Sequence, residues 1–131
     1  MILTIRTDKP EAEIGLHTPD GRELSYYTWP AHRQLAATLL STIHAQLAIQ
    51  KASFEQLTGI VVYKGPGSFT GLRIGITVAN SLAYGLTIPI VGTLGEEWRQ
   101  TGLAALASGK DDKQVLPEYG AEAHITLPRQ V

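Results

Sequence analysis

The chain has 131 residues, which suit one domain with a single core and are too few for two full domains. A formal net charge of −1 and the lack of a Lys/Arg cluster exclude a strong nucleic-acid binder, so we expect any RNA contact to be made through a partner. The absence of cysteine excludes disulfides, thiolate metal sites and cysteine nucleophiles. We find no targeting signal or membrane-length apolar run, and we expect a cytoplasmic protein that does not contact a membrane.

The first thirty residues predict three short strands. Residues 2–6, 12–17 and 23–29 are β-prone runs, and Pro19-Asp20-Gly21 lies between the second and the third. Because proline and glycine at these positions favour a tight turn, we expect the second and third strands to pair antiparallel.

A helix and a buried strand follow. Apolar residues recur at helical spacing over 31–50, where Leu35 and Leu39 begin the stripe. The run Ile60 to Tyr63 is unbroken and apolar, as is typical of a central strand that is covered on both sides.

A glycine-rich loop joins this strand to a second helix, predicted over 68–86. Unpaired N–H groups at a helix start bind anions, which makes the loop a candidate phosphate site. Its residues are Gly65, Pro66, Gly67, Ser68, Phe69, Thr70 and Gly71, with Arg73 one turn later. Equally, the glycines can serve only a sharp turn and close packing of the helix on its strand. For Ser68 and Thr70 we favour N-capping, so that Ser68→Ala would cost about 1 kcal/mol.

The second helix carries small residues four apart, and apolar residues surround nearly all of it. Since its own sheet covers one side, the other side predicts a partner, unless the first helix covers it. The predicted contact residues are Leu72, Gly75, Ile76, Ala79 and Ala83, with His32, Leu35 and Leu39 of the first helix. A large residue at Gly75 or Ala79 is then expected to abolish association and leave the chain folded.

The remaining sequence predicts a strand over 87–92 and then a helix to about Ala107. Gly109 can terminate this helix. Thr93 and Glu96 have the spacing of a capping box for this helix. Residues 110–114 form a short charged linker, and 115–131 are predicted to be an extended tail.

Motifs for autonomous catalysis are missing. The glycine loop lacks the Gly-Lys-Ser/Thr ending of a P-loop, and the four histidines lack zinc-binding spacing. No base can be assigned to activate Ser68 or Thr70. We therefore expect no metal site and no catalytic residue.

Residues 63–75, Tyr-Lys-Gly-Pro-Gly-Ser-Phe-Thr-Gly-Leu-Arg-Ile-Gly, closely resemble the signature of the TsaB family. His32, residues 89–92, Pro117, Tyr119 and residues 125–128 support the resemblance, which covers roughly the whole chain. It implies an α/β fold: one lobe of the actin-like, sugar-kinase-like architecture over 1–109, with a mixed five-stranded sheet, an antiparallel hairpin and flanking helices.

Two features depart from this family pattern. Only the 110–114 linker stands where the family carries a second lobe, so we expect a minimised form. Arg6 occupies the place where the superfamily usually has a metal-organising aspartate, and Asp8 follows two residues later. Both departures disfavour ATP hydrolysis by the chain alone, so we expect no cofactor except a nucleotide bound within a complex.

The resemblance implies a non-catalytic scaffold that dimerises with the catalytic threonylcarbamoyltransferase subunit for N6-threonylcarbamoylation of tRNA adenosine beside the anticodon. A third, ATPase subunit would complete the assembly, tRNA would be met through the complex, and the isolated chain would form a homodimer. The alternative is a small nucleotide- or phosphate-binding enzyme that uses Gly65–Gly71 with Arg6 and Arg73 as counter-ions. A homodimeric peptide-binding module is a third hypothesis.

Overall fold

In the computed structural model, which describes residues 1–119, one mixed five-stranded sheet carries helices on both faces. The elements are β1 (Ile2–Arg6), β2 (Glu11–His17), β3 (Glu23–Pro30), α1 (Leu35–Ile49), β4 (Gly59–Gly65), α2 (Phe69–Leu86), β5 (Ile90–Leu94) and α3 (Trp98–Ala107). The strand order is β3-β2-β1-β4-β5, so the predicted α/β fold with its five-stranded sheet is confirmed.

The N-terminal strands form an antiparallel meander, as the turn residues predict. β1 pairs with β2, and β2 pairs with β3. The β2–β3 turn is closed by a hydrogen bond from the Thr18 N–H to the Arg22 carbonyl and has Gly21 at φ +95°. β4 then joins β1 in parallel, and β5 joins β4 in parallel.

The central strand β4 is covered on both faces. Gly102 of α3 lies against the Val61 side chain, so Val61 faces α3. Because side chains alternate along a strand, Ile60 and Val62 face the layer of α1 and α2 instead. All three are at most 1% exposed, which confirms the burial predicted from their apolarity.

Three predicted boundaries shift. Residues 32–34 form a 3-10 turn, and α1 begins only at Leu35. α2 ends at a left-handed Thr87 (φ 57°), so β5 begins at Ile90. The Thr93–Glu96 capping box is wrong, because Thr93 belongs to β5 and its hydroxyl donates to the Trp98 carbonyl at 2.8 Å.

The charged segment 110–114 lies against the sheet. Gly109 (φ +92°) ends α3 as predicted. Asp111 Oδ1 then accepts from the Ile90 N–H at 3.1 Å, and Asp112 Oδ2 accepts from the Gly92 N–H at 2.9 Å. These carboxylates occupy backbone donors on the outer edge of β5, where an unpaired strand edge invites association.

The part of the tail that can be followed, residues 115–119, runs along α2. The rest of the predicted tail, 120–131, lies outside the described residues. None of the helices within residues 1–119 is long and apolar enough to cross a membrane.

Candidate functional site

The glycine loop packs against the turn between β1 and β2. The Thr7 hydroxyl donates to the Gly71 carbonyl at 2.7 Å. A Cβ on Gly71 would collide with the Thr7 carbonyl oxygen, and a Cβ on Gly75 would collide with the Thr7 side chain. A Cβ on Gly67 would collide with Asp8 in the same way. At these three positions glycine is needed for close packing within the chain.

An ion pair fixes the carboxylate beside the loop. Arg6 Nε donates to Asp8 Oδ1 at 2.7 Å, and the Arg6 guanidinium lies 3.8 Å from the centroid of the Tyr63 ring. The Tyr63 hydroxyl in turn donates to the Pro66 carbonyl at 2.7 Å. Partial burial lowers the pKa of Arg6, but the hydrogen bond and charge of Asp8 outweigh it, so the net pKa is raised. Arg6, Asp8 and Tyr63 thus tie β1 to the loop.

The Arg6–Asp8 ion pair lies at the predicted anion site. The Asp8 side chain is only 7% exposed and touches the loop at Gly67, so a negative charge of the chain itself already lies near the start of α2. Because Arg6 is paired with this carboxylate, its charge is not free to serve as the predicted counter-ion of an anion. Ser68 occupies the N-cap position of α2 but makes no side-chain capping bond, so the predicted capping bond is wrong. Anion binding by the loop stays a prediction.

A cleft of about 360 Å³ opens where the β1–β2 turn, the 3-10 turn and the loop meet. Lys9 and His32 line it together with the hydroxyl residues Ser68 and Thr70. His32 holds a left-handed backbone (φ 46°), and its N–H donates to the Pro10 carbonyl at 3.4 Å. Lys9, which pairs with Glu13 at 2.8 Å, and the His32 imidazole therefore lie beside the loop. Arg73 lies elsewhere, with its guanidinium 5.4 Å from the centroid of the Phe69 ring.

Most of the predicted partner-contact residues are buried in the chain's own core, so that prediction is wrong for them. The buried ones are Leu72, Gly75, Ile76, Ala79 and Ala83 of α2, with Leu35 and Leu39 of α1. The exposed fractions of the side chains other than Gly75 run from 0% for Leu39, Leu72 and Ala79 to 6% for Leu35. Among the predicted set only His32 is exposed. The small residues allow α2 to approach its own sheet and the β1–β2 turn.

The outward side of the two helices carries a different apolar surface. We define the α1–α2 groove as the depression of about 400 Å³ lined by Ala36, Phe69, Thr70, Arg73, Ile74, Thr77 and Val78. Phe69 is 53% exposed, and Leu40, one turn beyond Ala36, is 48% exposed. Sequence reasoning placed the partner surface on these two helices and assigned Phe69, Thr70 and Arg73 to the anion loop, but it did not name Ile74 and Val78 as contact residues. These two residues, four apart and out of phase with the buried stripe, are the signal of the groove.

A segment of the tail reaches the loop and the groove. We call residues Val115–Tyr119 the strap. The Tyr119 ring lies 4.5 Å from the Phe69 ring between centroids, and the Glu118 N–H donates to the Lys64 carbonyl at 2.7 Å. The strap therefore touches both ends of the connection between β4 and α2.

Comparison with known proteins shows what this chain is similar to. The chain is 37% identical to the tRNA threonylcarbamoyladenosine biosynthesis protein TsaB of Bacillus subtilis over 89 residues, which are 68% of this chain and 38% of that protein. It is 31% identical to TsaB of Escherichia coli over 85 residues, 60% of this chain and 37% of that protein. The solved structure of YeaZ from Pseudomonas aeruginosa superposes with a TM-score of 0.64 at 29% identity, covering 71% of this chain and 43% of that one.

This chain is a homologue of TsaB. Its matches extend to the catalytic relative: the family model of TsaD, tRNA N6-adenosine threonylcarbamoyltransferase, matches residues 30–94. That enzyme from Geotalea daltonii is 39% identical over 62 residues, 47% of this chain and 18% of the enzyme. The chain spans less than half the length of each TsaB relative that it matches.

Proposed function

We propose that this TsaB homologue is a cytoplasmic, non-catalytic subunit of a tRNA threonylcarbamoylation complex, and that the α1–α2 groove docks on the catalytic TsaD-type subunit. The observation that carries the proposal is the exposed apolar groove on a chain of TsaB descent. The chain supplies binding energy and position, whereas an ATPase subunit and tRNA join through the complex.

The match to TsaD supports the choice of partner. The matched residues 30–94 include both helices of the groove. The catalytic subunit is thus expected to own a similar helix pair, and two similar surfaces can pack about an approximate twofold axis. The same logic makes the isolated chain a homodimer. A stable interface of this kind buries about 1,200 to 2,000 Å² in total.

The chemistry of the groove indicates what the partner presents. Ile74 and Val78 offer a half-buried apolar floor, while Arg73 and Thr77 are exposed at its margin. We expect apolar partner side chains opposite the floor and a carboxylate opposite Arg73, since complementary charges at an interface fix register and speed association.

The non-catalytic assignment rests on the ion pair at the loop. The carboxylate of Asp8 is held by Arg6, which leaves it poorly placed to organise a metal ion. No group of three side chains able to hold a metal lies within residues 1–119. A second Pseudomonas aeruginosa structure is described as similar to peptidase YeaZ, yet in the described chain no hydrogen bond joins His32 to the neighbouring Ser68 or Thr70.

The cleft with Lys9 and His32 favours one other candidate function, that of a small nucleotide- or phosphate-binding enzyme. Titration of the lone chain with ATP and ADP separates the two. Absence of saturable binding and of turnover until the catalytic subunit is added supports the scaffold, whereas turnover by the lone chain supports the enzyme.

The docking surface is tested with two arginines of equal charge. The chain is mixed with the catalytic subunit of the same organism, and the mass of the complex and the threonylcarbamoyl transfer to tRNA are measured. Arg73→Glu is expected to weaken association about tenfold or more, because it places a carboxylate against the partner's own. Arg22→Glu, an exposed site on the β2–β3 turn, makes the same change in net charge and is expected to have no effect. Equal loss of association in both variants would contradict the assignment of the α1–α2 groove as the docking surface.

A further inference from the structure

The strap is anchored at its start by one side chain of α2. Asn80 Nδ2 donates to the Val115 carbonyl at 3.0 Å, and the Val115 N–H donates back to Asn80 Oδ1 at 2.9 Å. One carboxamide thus makes the pair of hydrogen bonds that a neighbouring strand residue would make. The Val115 side chain is 3% exposed and occupies the space that a Cβ on Gly92 would need.

At its other end the strap closes over the glycine loop. Besides the hydrogen bond from Glu118 to Lys64, a Cβ on Gly65 (φ +130°) would collide with the Glu118 carbonyl oxygen. The Tyr119 ring then packs on Phe69 at an interplanar angle of 30°. Gly65 is therefore needed where the strap crosses it.

Distances along the helix explain why both anchors can be used at once. Phe69 and Asn80 are eleven residues apart, which is about three turns and about 16 Å, so they lie on the same side of α2. The four steps from Val115 to Tyr119 span about 13 Å when extended, and the Asn80 and Tyr119 side chains bridge the remaining distance. The strap runs beside α2 from Asn80 back to the loop.

We propose that the strap is a positioning element for the partner surface: it holds the glycine loop and, through Tyr119, fixes the Phe69 ring at the end of the α1–α2 groove. The identity of the partner rests on the proposed function above. Phe69 is exposed over half its surface and has Arg73 on its ring as well. Ordering such a side chain before binding removes an entropic cost from association.

Four single substitutions in the full chain test this. Tyr119→Ala removes the stack, and Asn80→Leu removes both hydrogen bonds to Val115. Tyr119→Phe keeps the stack and should restore the original behaviour. Leu116→Ala changes a strap side chain that is 68% exposed and serves as the matched control.

The first measurement is amide hydrogen exchange of the lone chain. Exchange of the Glu118 N–H, which is bonded to the Lys64 carbonyl, is expected to become about tenfold faster in Tyr119→Ala and Asn80→Leu, and to stay unchanged in Tyr119→Phe and Leu116→Ala. Unchanged exchange in both disruptive variants would contradict the proposal that the strap holds the glycine loop.

The second measurement is affinity for the catalytic subunit, which is expected to fall about threefold to tenfold in the same two variants alone. A loosened loop with unchanged affinity would overturn the link to the partner while the proposed function stands. Failure of the unaltered chain to bind would contradict the proposed function and, with it, that link, and hydrogen exchange would still decide whether the strap holds the loop.

Discussion

The two sides of α2 both carry apolar residues, but one side is buried in the chain and the other lines an open groove. The inner side carries the small residues Gly71, Gly75, Ala79 and Ala83, and it is closed by the chain's own sheet and by Thr7. The outer side carries Ile74 and Val78 beside Arg73, and it lines an open groove. Small residues at helical spacing thus indicate where another backbone or side chain comes close, whereas the apolar residues left over in a second phase indicate where a partner can bind.

Filling the inner side should have the largest effect. Ala79 is fully buried, so Ala79→Trp is expected to destabilise the chain by about 3 kcal/mol or more through overpacking. Urea denaturation followed by circular dichroism measures this. Ser81→Trp, at an exposed position of the same helix, is the control. A folded Ala79→Trp chain that had lost only its partner would restore the original assignment of this side as the interface.

Breaking the ion pair that ties β1 to the loop should have a moderate effect. Asp8→Ala leaves the half-buried Arg6 guanidinium without its carboxylate, and we expect a loss of about 2 kcal/mol in the free energy of unfolding. Lys113→Ala, which breaks a pair with Asp111 at 3.8 Å in which the lysine is 85% exposed, should cost less than about 0.5 kcal/mol. Equal losses would mean that Arg6 and Asp8 contribute no more than an ordinary surface pair.

A smaller effect is expected on the sheet face opposite the groove. His17 is 3% exposed, and within residues 1–119 neither ring nitrogen has a hydrogen-bond partner. Burial, and then the charge of Arg99, lower its pKa from 6.5. Below pH 6.5 the unfolded chain therefore binds more protons at His17 than the folded chain does. The contribution of His17 to the free energy of unfolding is highest above pH 6.5 and falls as the pH is lowered through this range.

Denaturation at a series of pH values tests this contribution. The decline in unfolding free energy below pH 6.5 should be shallower in His17→Leu than in the unaltered chain. The exposed His44, replaced in the same way, is the control. An identical slope for His17→Leu and the unaltered chain would contradict the assignment.

The smallest effect concerns the loop itself. Because Ser68 makes no capping bond, Ser68→Ala is expected to change the free energy of unfolding by less than about 0.5 kcal/mol, instead of the 1 kcal/mol expected for a cap. Thermal denaturation of the two chains measures the difference. A full cap-sized loss would show that the hydroxyl caps α2 in solution.

Local patterns predicted the elements well. The Pro-Asp-Gly turn, the apolar run at β4 and the glycine after α3 each depend on neighbouring residues, and the structure confirms all three. The prediction for Thr93 was wrong because this residue belongs to β5, where pairing with Tyr63 of β4 decides its conformation.

The site was harder to predict because its contacts span long separations. The approach of Thr7 to Gly71 joins residues 64 apart, and the pairing of Asn80 with Val115 joins residues 35 apart. Helical periodicity gives the phase of a buried stripe but not the identity of what covers it. The sequence therefore located α2 correctly but assigned to a partner residues that the chain itself buries.

We propose above that the outer side of α2 binds the catalytic subunit. Thr77 and Thr101 are both exposed threonines within helices, but only Thr77 lines the groove. Titration of the catalytic subunit into Thr77→Asp and Thr101→Asp tests this, because a carboxylate at position 77, one turn from Arg73, opposes the partner carboxylate expected opposite Arg73. We expect Thr77→Asp to weaken binding at least about tenfold and Thr101→Asp to bind as the unaltered chain does. Equal affinity of the two variants would contradict this proposal.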